Sequence, residues 1–284
     1  MKRRAIHLGF RALTALSALA ACAVLLGIIG FIVSRGWSAL SWSFFTEEIA
    51  HVGASGGIYY NIMGTIILLL TATLCCTPLA VGLAIVHSVY LAEHPLRKKL
   101  TMVLYLLNGV PSILFGIIGM VLFVQWFGWG KSWLSGGILL GIMMLPTVTI
   151  TLIERISSIP GRYLEAGRGL GLNQSQLIRS VVMPQSFGGL ITGLLLGLAR
   201  AAGETAPIMF TATIFAGATL PSGIKESPVL SLPYHIFILA QDSYDPVTKT
   251  RLWGAALVLV LIVFALSLAA LPARLKIHEE ADHA

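Results

Sequence analysis

Apolar residues gather along this chain in six blocks of about 20 residues, separated by polar stretches. The blocks run roughly over Leu13–Val33, Ile62–Val86, Thr101–Val124, Trp133–Ile153, Phe187–Phe215 and Leu252–Leu271. As helices rising 1.5 Å per residue, each is long enough to cross a hydrocarbon layer of about 30 Å. The pattern predicts an all-α membrane protein with six transmembrane helices. It forms one domain over residues 1–284, with core spans at about 57–271 and a polar loop at about 154–186.

Composition supports this reading. Residues are 56% hydrophobic and 11% charged, against about 25% charged in soluble domains. The net charge of +7 would suggest nucleic acid in a soluble protein. Here the cations border the apolar blocks, so they report orientation in the bilayer instead. Thirteen Lys and Arg fall on the side of the termini and of the second and fourth connections, among them Arg97, Lys98, Lys99, Arg155, Arg162, Arg168 and Arg179. Five fall on the other side: Arg35, Lys131, Lys225, Lys249 and Arg251. Both termini are therefore expected in the cytoplasm. The start Met1-Lys2-Arg3-Arg4 resembles a signal peptide, but the apolar run after it is long and lacks a clear cleavage site. It reads as a retained span.

Several chemistries find no support. Cys22, Cys75 and Cys76 lie within apolar blocks and two are adjacent, so no disulfide framework is expected. The seven histidines show no metal-ligand spacing. Gly130-Lys131-Ser132 ends like a nucleotide-binding loop, but the position of the first glycine is Gln125. No metal and no cofactor are expected in this chain.

Prolines interrupt four of the blocks, at Pro78, Pro111, Pro146 and Pro207. Each frees a carbonyl that neighbouring helices or water must satisfy, which suits a protein that moves or lines a cavity. The first outer loop opens on Trp37, Trp42, Phe44 and Phe45, expected as interfacial anchors. Gly53, Gly56 and Gly57 then predict a flexible turn into the second span. In the long loop from Ala216 to Arg251, Tyr234 to Gln241 reads as a short interfacial or re-entrant helix.

The polar stretch Glu154–Gln185 reads as two short helices. The first spans about Gly161–Gly169, with Gly171 as its C-cap. Asn173 caps a second that runs to about Val182, and Pro184 marks its end. A further polar feature lies within the fifth block. Arg200 sits near its middle, with Glu204 one turn later. A charge at that depth costs about 2.5–3.5 kcal/mol on insertion scales and needs a protein or water partner. The two could neutralise each other as an ion pair, or Arg200 could meet an anion in transit with Glu204 holding or gating it. Gly203 and Pro207 weaken the helix there. Gly189, Gly193, Gly197 and Ala201 recur every four residues, a spacing that permits close helix approach and predicts a seam between two subunits.

Two sets of residues resemble a known family. Glu165-Ala166-Gly167, three residues, Gly171, nine residues, then Val181-x-Met183-Pro184 resembles the EAA signature of ABC-importer permeases. It departs mildly at Gly167, Val181 and Met183. Ala199-Arg200-Ala201-Ala202-Gly203-Glu204-Thr205-Ala206-Pro207 looks like the corresponding segment of phosphate-transport permeases of the PstA/PstC pair. Gly109-Val110-Pro111-Ser112-Ile113-Leu114-Phe115-Gly116 and Gly57-Ile58 with Ile62-Met63-Gly64-Thr65 agree. The short N-terminal region is more similar to PstA.

The resemblance implies a type I ABC-importer permease fold and transport of inorganic phosphate. It implies that Glu165, Ala166, Gly167 and Gly171 contact an ATPase. Arg200, Glu204 and Thr205 would line the substrate pathway, and Pro111, Gly203 and Pro207 would serve as helix breaks. Implied partners are a second, PstC-like permease, two PstB-like subunits that bind ATP and Mg, and an extracytoplasmic PstS-like phosphate-binding protein. Another oxyanion (sulfate, molybdate or phosphonate) is an alternative substrate, and a stand-alone channel or membrane enzyme an alternative class.

Overall fold

The structure, a computed structural model, describes residues 2–50, 55–241, 245–269 and 271–272. Gly53, Arg274 and Lys276 lie outside the described residues.

Twelve helices make up nearly all of the described chain. Helix α1 spans Lys2–Gly36, and a short α2 covers Trp42–Thr46. The two-residue strands β1 (Ile49–Ala50) and β2 (Ser55–Gly56) pair antiparallel, Ile49 opposite Gly56. Helix α3 (Tyr59–Ile85) continues through a wider turn to Tyr90. Next come α4 (Leu96–Asn108), α5 (Ser112–Gly119, prolonged to Trp126), α6 (Trp133–Ser157), α7 (Gly161–Gly169) and α8 (Gln174–Leu177). The chain ends with α9 (Met183–Ala201), α10 (Ala206–Thr211), α11 (Leu232–Gln241) and α12 (Pro246–Ala269). Among the described residues five helices are long and apolar enough to cross a membrane, or six with α4 and α5, bent by 93° at their break, counted as one span.

Helix α6 is the axis of the bundle. One face packs on α3 and another on α9. Ala72, Cys76 and Ala80 of α3 and Val148 of α6 are fully buried where they meet. In lipid no hydrophobic force draws helices together, so close van der Waals fit has to do it, and small residues supply that fit. A Cβ on Gly137 would lie 2.4 Å from Thr71, and one on Gly141 would lie 2.9 Å from the carbonyl of Ala72. The glycine stripe of α9 works the same way within the chain. Gly189 faces Arg155 at 2.5 Å, Gly193 faces Val148 at 3.2 Å, and Gly197 faces Met144 at 3.0 Å. The stripe is therefore an internal seam with α6 and not the intersubunit seam expected from its spacing. Four-residue spacing signals close approach but does not name the neighbour.

The prolines divide into two kinds. Pro78 and Pro146 sit inside unbroken helices. Pro111, with extended ψ of 134°, separates α4 from α5, and Pro207 stands in the first turn of α10. The third and fifth spans are thus broken at Pro111 and Pro207, whereas the interruptions expected at Pro78 and Pro146 are absent. Pro184 does not end a helix either. The chain stays helical from Gln174 to Ala201, because the widened turn at Ile178–Val182 leads straight into α9 with Pro184 in its first turn. The widened turn just before it accommodates the missing N–H.

The part of the first outer loop around Gly57 is tightly packed. A Cβ on Gly57 would meet the carbonyls of Glu47, Phe44 and Ser43 at 2.6–2.7 Å. Phe44, expected at the lipid interface, is 3% exposed in a cluster with Ile58, Leu232, Ala255 and Val258. Trp37 and Trp42 remain exposed as expected. The short helix expected at Tyr234–Gln241 is present as α11. Helix α1 stands apart, touching α12 where Phe31 meets the edge of Trp253 at 5.2 Å.

Candidate anion pathway and coupling surface

The two broken spans lie side by side. Below its break the first ends at Asn108, and the second ends at Ala201. Beyond the breaks α5 packs on α10, closely enough that a Cβ on Gly116 would lie 2.8 Å from the carbonyl of Ala206. Around the second break the chain is held by tight turns, Gly203 N–H to Arg200 O at 3.1 Å and Glu204 N–H to Ala201 O at 3.2 Å. Thr205 then starts α10 by accepting from Met209 N–H at 3.0 Å.

Arg200 occupies the last turn of α9, not the middle of a continuous span. A cation there opposes the partial negative charge of the helix C-terminus. Its Nη1 donates to Asn108 Oδ1 at 2.8 Å, and its Nε lies 3.6 Å from Glu204 Oε1. Thr147 of α6 also donates to Asn108 Oδ1, at 3.4 Å. The side chain of Arg200 keeps 39% of its surface exposed and that of Glu204 18%. Leu140, Met143, Met144 and Ala201 complete a shallow apolar cleft against the pair. The structure thus brings Arg200, Glu204, Gly203 and Thr205 together and sets the Pro111 break beside them. Arg200 and Glu204 do pair, and the guanidinium stays open on one side.

Asn108 escaped the sequence reading. The signal available was one amide side chain within the third apolar block, directly before Gly109 and Pro111. Lys131 also proves to have a structural place. Its Nζ donates to the carbonyls of Met209 (2.9 Å) and Thr213 (3.2 Å), so it caps the C-terminal end of α10. Burial lowers its pKa from the ordinary lysine value. Around it Ser132 N–H bonds to Thr211 O at 3.0 Å, and Thr213 bridges Val229. This knits the end of the bundle opposite α7 into one body.

At the α7 end, a knob is built from α7 and α8. Gly171, at φ +75°, turns the chain out of α7, with Leu172 N–H returning to Gly167 O at 3.1 Å. Asn173 and Gln176 form a reciprocal capping box, both bonds at 2.9 Å. Glu165, Ala166, Arg168 and Gly171 are exposed on the knob. Leu170, which the sequence did not single out, is 82% exposed. Gly167 is the exception among the four coupling positions. It is buried, its Cβ position 2.6 Å from Leu177, so its smallness lets α7 lie on α8. Leu152, Ile156, Ile159 and Val182 join knob and spans in one apolar cluster. Arg155 Nε ties α6 to Gln185 O at 3.0 Å. The knob is therefore packed against α6 and α9 together.

Comparison with known proteins agrees with this architecture. Residues 77–272 match the family model described as binding-protein-dependent transport system inner membrane component. The probable ABC transporter permease protein YqgI of Bacillus subtilis is 29% identical, over 87% of this chain and 88% of that protein. The phosphate transport system permease protein PstA of Xylella fastidiosa (strain 9a5c) is 32% identical, over 84% of this chain and 82% of that protein. PstA 2 of Mycobacterium bovis is 31% identical, over 75% and 72%. Among solved structures, an inward-facing MetNI methionine ABC transporter chain superposes with TM-score 0.55 at 18% identity, over 77% of this chain and 93% of that one, which fixes the fold as that of a type I ABC-importer permease. With six potential spans, knob and broken helices in place, this chain is a multi-pass inner-membrane protein that belongs to the family of binding-protein-dependent transport system inner membrane components.

Proposed function

We propose that this chain is one permease of an ATP-driven importer of inorganic phosphate. The observation that carries this reading is the open guanidinium of Arg200, held at paired helix breaks by Asn108 and flanked by Glu204. The names of the PstA relatives point to phosphate. A planar fork of N–H donors matches a tetrahedral oxyanion, and a partly desolvated site strengthens the contact. In this reading both termini and the knob are cytoplasmic, and a PstC-like permease completes the pathway. Two PstB-like subunits bind ATP and Mg²⁺ and receive Glu165, Ala166, Leu170 and Gly171. A PstS-like protein delivers phosphate to the opposite face. This chain itself carries out no chemistry.

A second reading keeps everything but the substrate, since arginine suits sulfate, molybdate and phosphonate equally well. Competition separates the two. Uptake of labelled phosphate by cells that rely on this transporter is expected to persist in about a hundredfold excess of sulfate, molybdate or phosphonate, a discrimination of more than about 2.7 kcal/mol. Suppression by one of these anions would assign the chain to that anion instead.

A further inference from the structure

Asn108 is the last residue of α4, at the corner of the span bent by 93°. A guanidinium has donors only, so the amide atom facing Arg200 Nη1 at 2.8 Å must be Oδ1. Thr147 Oγ1 donates to the same oxygen at 3.4 Å, which uses both of its lone pairs. The Nδ2 group, with two N–H donors, is left on the exposed side and meets no acceptor among the described residues. Beside it stands the open face of Arg200. The two side chains together form one array of donors.

We propose that Asn108 is a positioning residue of the anion pathway: it aims the Arg200 guanidinium and adds its own amide N–H groups to the same binding site. The proposal rests on the reading of Arg200 as the anion contact. Because Asn108 ends one half of a bent span, a change of the bend shifts its oxygen relative to Arg200. The guanidinium is then held in one conformation and released in another, which gives the knob a route to the site.

Asn108→Asp, Asn108→Leu and Asn108→Gln, tested in the assembled transporter in cells, distinguish this role from a structural one. Aspartate keeps the acceptor but ion-pairs the guanidinium and repels the anion, so the maximal rate of phosphate uptake should fall furthest, by tenfold or more, on the order expected for a hydrogen bond to a charged group. Leucine keeps the bulk without donor or acceptor and should fall about tenfold. Glutamine keeps the amide and should retain a large part of the rate. Membrane abundance of each variant is measured in parallel. A merely structural acceptor would reverse the order, aspartate matching or exceeding leucine, and that order overturns the proposal. Loss of uptake in proportion to abundance overturns it as well. If Arg200→Gln also transports normally, the underlying reading fails. If Arg200→Gln is inactive while Asn108→Asp is normal, only the role of Asn108 fails.

Discussion

Replacing Arg200 by Gln is expected to abolish phosphate uptake while the chain accumulates in the membrane at its normal level. The fold does not depend on this charge. Arg200 is partly exposed at the end of α9, and glutamine keeps amide N–H donors for Asn108. The anion does depend on it. Truncating one partner of a desolvated charge pair costs about 2–5 kcal/mol, which is roughly 30-fold to several-thousand-fold in rate or affinity. Arg200→Lys keeps the charge but loses the planar fork, so a partial defect is expected. Initial rates of labelled phosphate uptake, set against immunoblots of the membrane fraction, measure both effects. Unchanged uptake in Arg200→Gln would remove this residue from the mechanism.

The largest expected effect on the fold itself lies at Gly64. Residues Val229 to Ser231, a non-helical stretch, and Leu232 at the start of α11 are buried against α3 with at most 1% of each exposed. A buried loop needs its polar groups paired, and here Leu232 N–H donates to the Thr65 hydroxyl at 3.0 Å. A Cβ on Gly64 would lie 1.9 Å from the carbonyl oxygen of Leu230 and 3.1 Å from Val229. Backbone cannot swing aside as a side-chain end does. Gly64→Leu must expel the stretch, combining overpacking with an orphaned buried amide, together about 2–6 kcal/mol. The variant is expected to be nearly absent from the membrane fraction and to be degraded in a pulse-chase experiment. Normal accumulation would show that the 229–232 stretch repacks without loss.

These two sites differ in how openly the sequence displayed them. Arg200 and Glu204 stood out because charge within an apolar block is costly and so has a purpose. Helix α7 and the cap of α8 were legible to within a residue or two, since Gly171 and Asn173 are local signals whose physics is complete within one turn. Gly64 and Gly57 were visible only as a shared pattern. Their reason is a carbonyl the local pattern does not reveal, Leu230 from far along the chain in one case and the Phe44 turn in the other. The prolines show the same limit. Pro78 and Pro111 look alike in sequence, yet one rides inside a helix and the other turns a span by 93°. Local rules give the lost hydrogen bond, but the surrounding packing decides whether the helix bends. Asn108 was missed because hydropathy averages over a window, and one amide hardly lowers the mean of an apolar block.

The central claim is that position 200 faces water through which an anion passes. It is tested most directly by cysteine labelling. In the assembled transporter with Cys22, Cys75 and Cys76 replaced, an Arg200→Cys variant would be exposed to a small sulfonate-bearing thiol reagent confined to water, and to an uncharged lipid-soluble maleimide. Rapid labelling by the sulfonate reagent, at a rate that changes when ATP is added, is the predicted result. Reaction with the lipid-soluble maleimide alone would place the side chain among acyl chains and contradict the account.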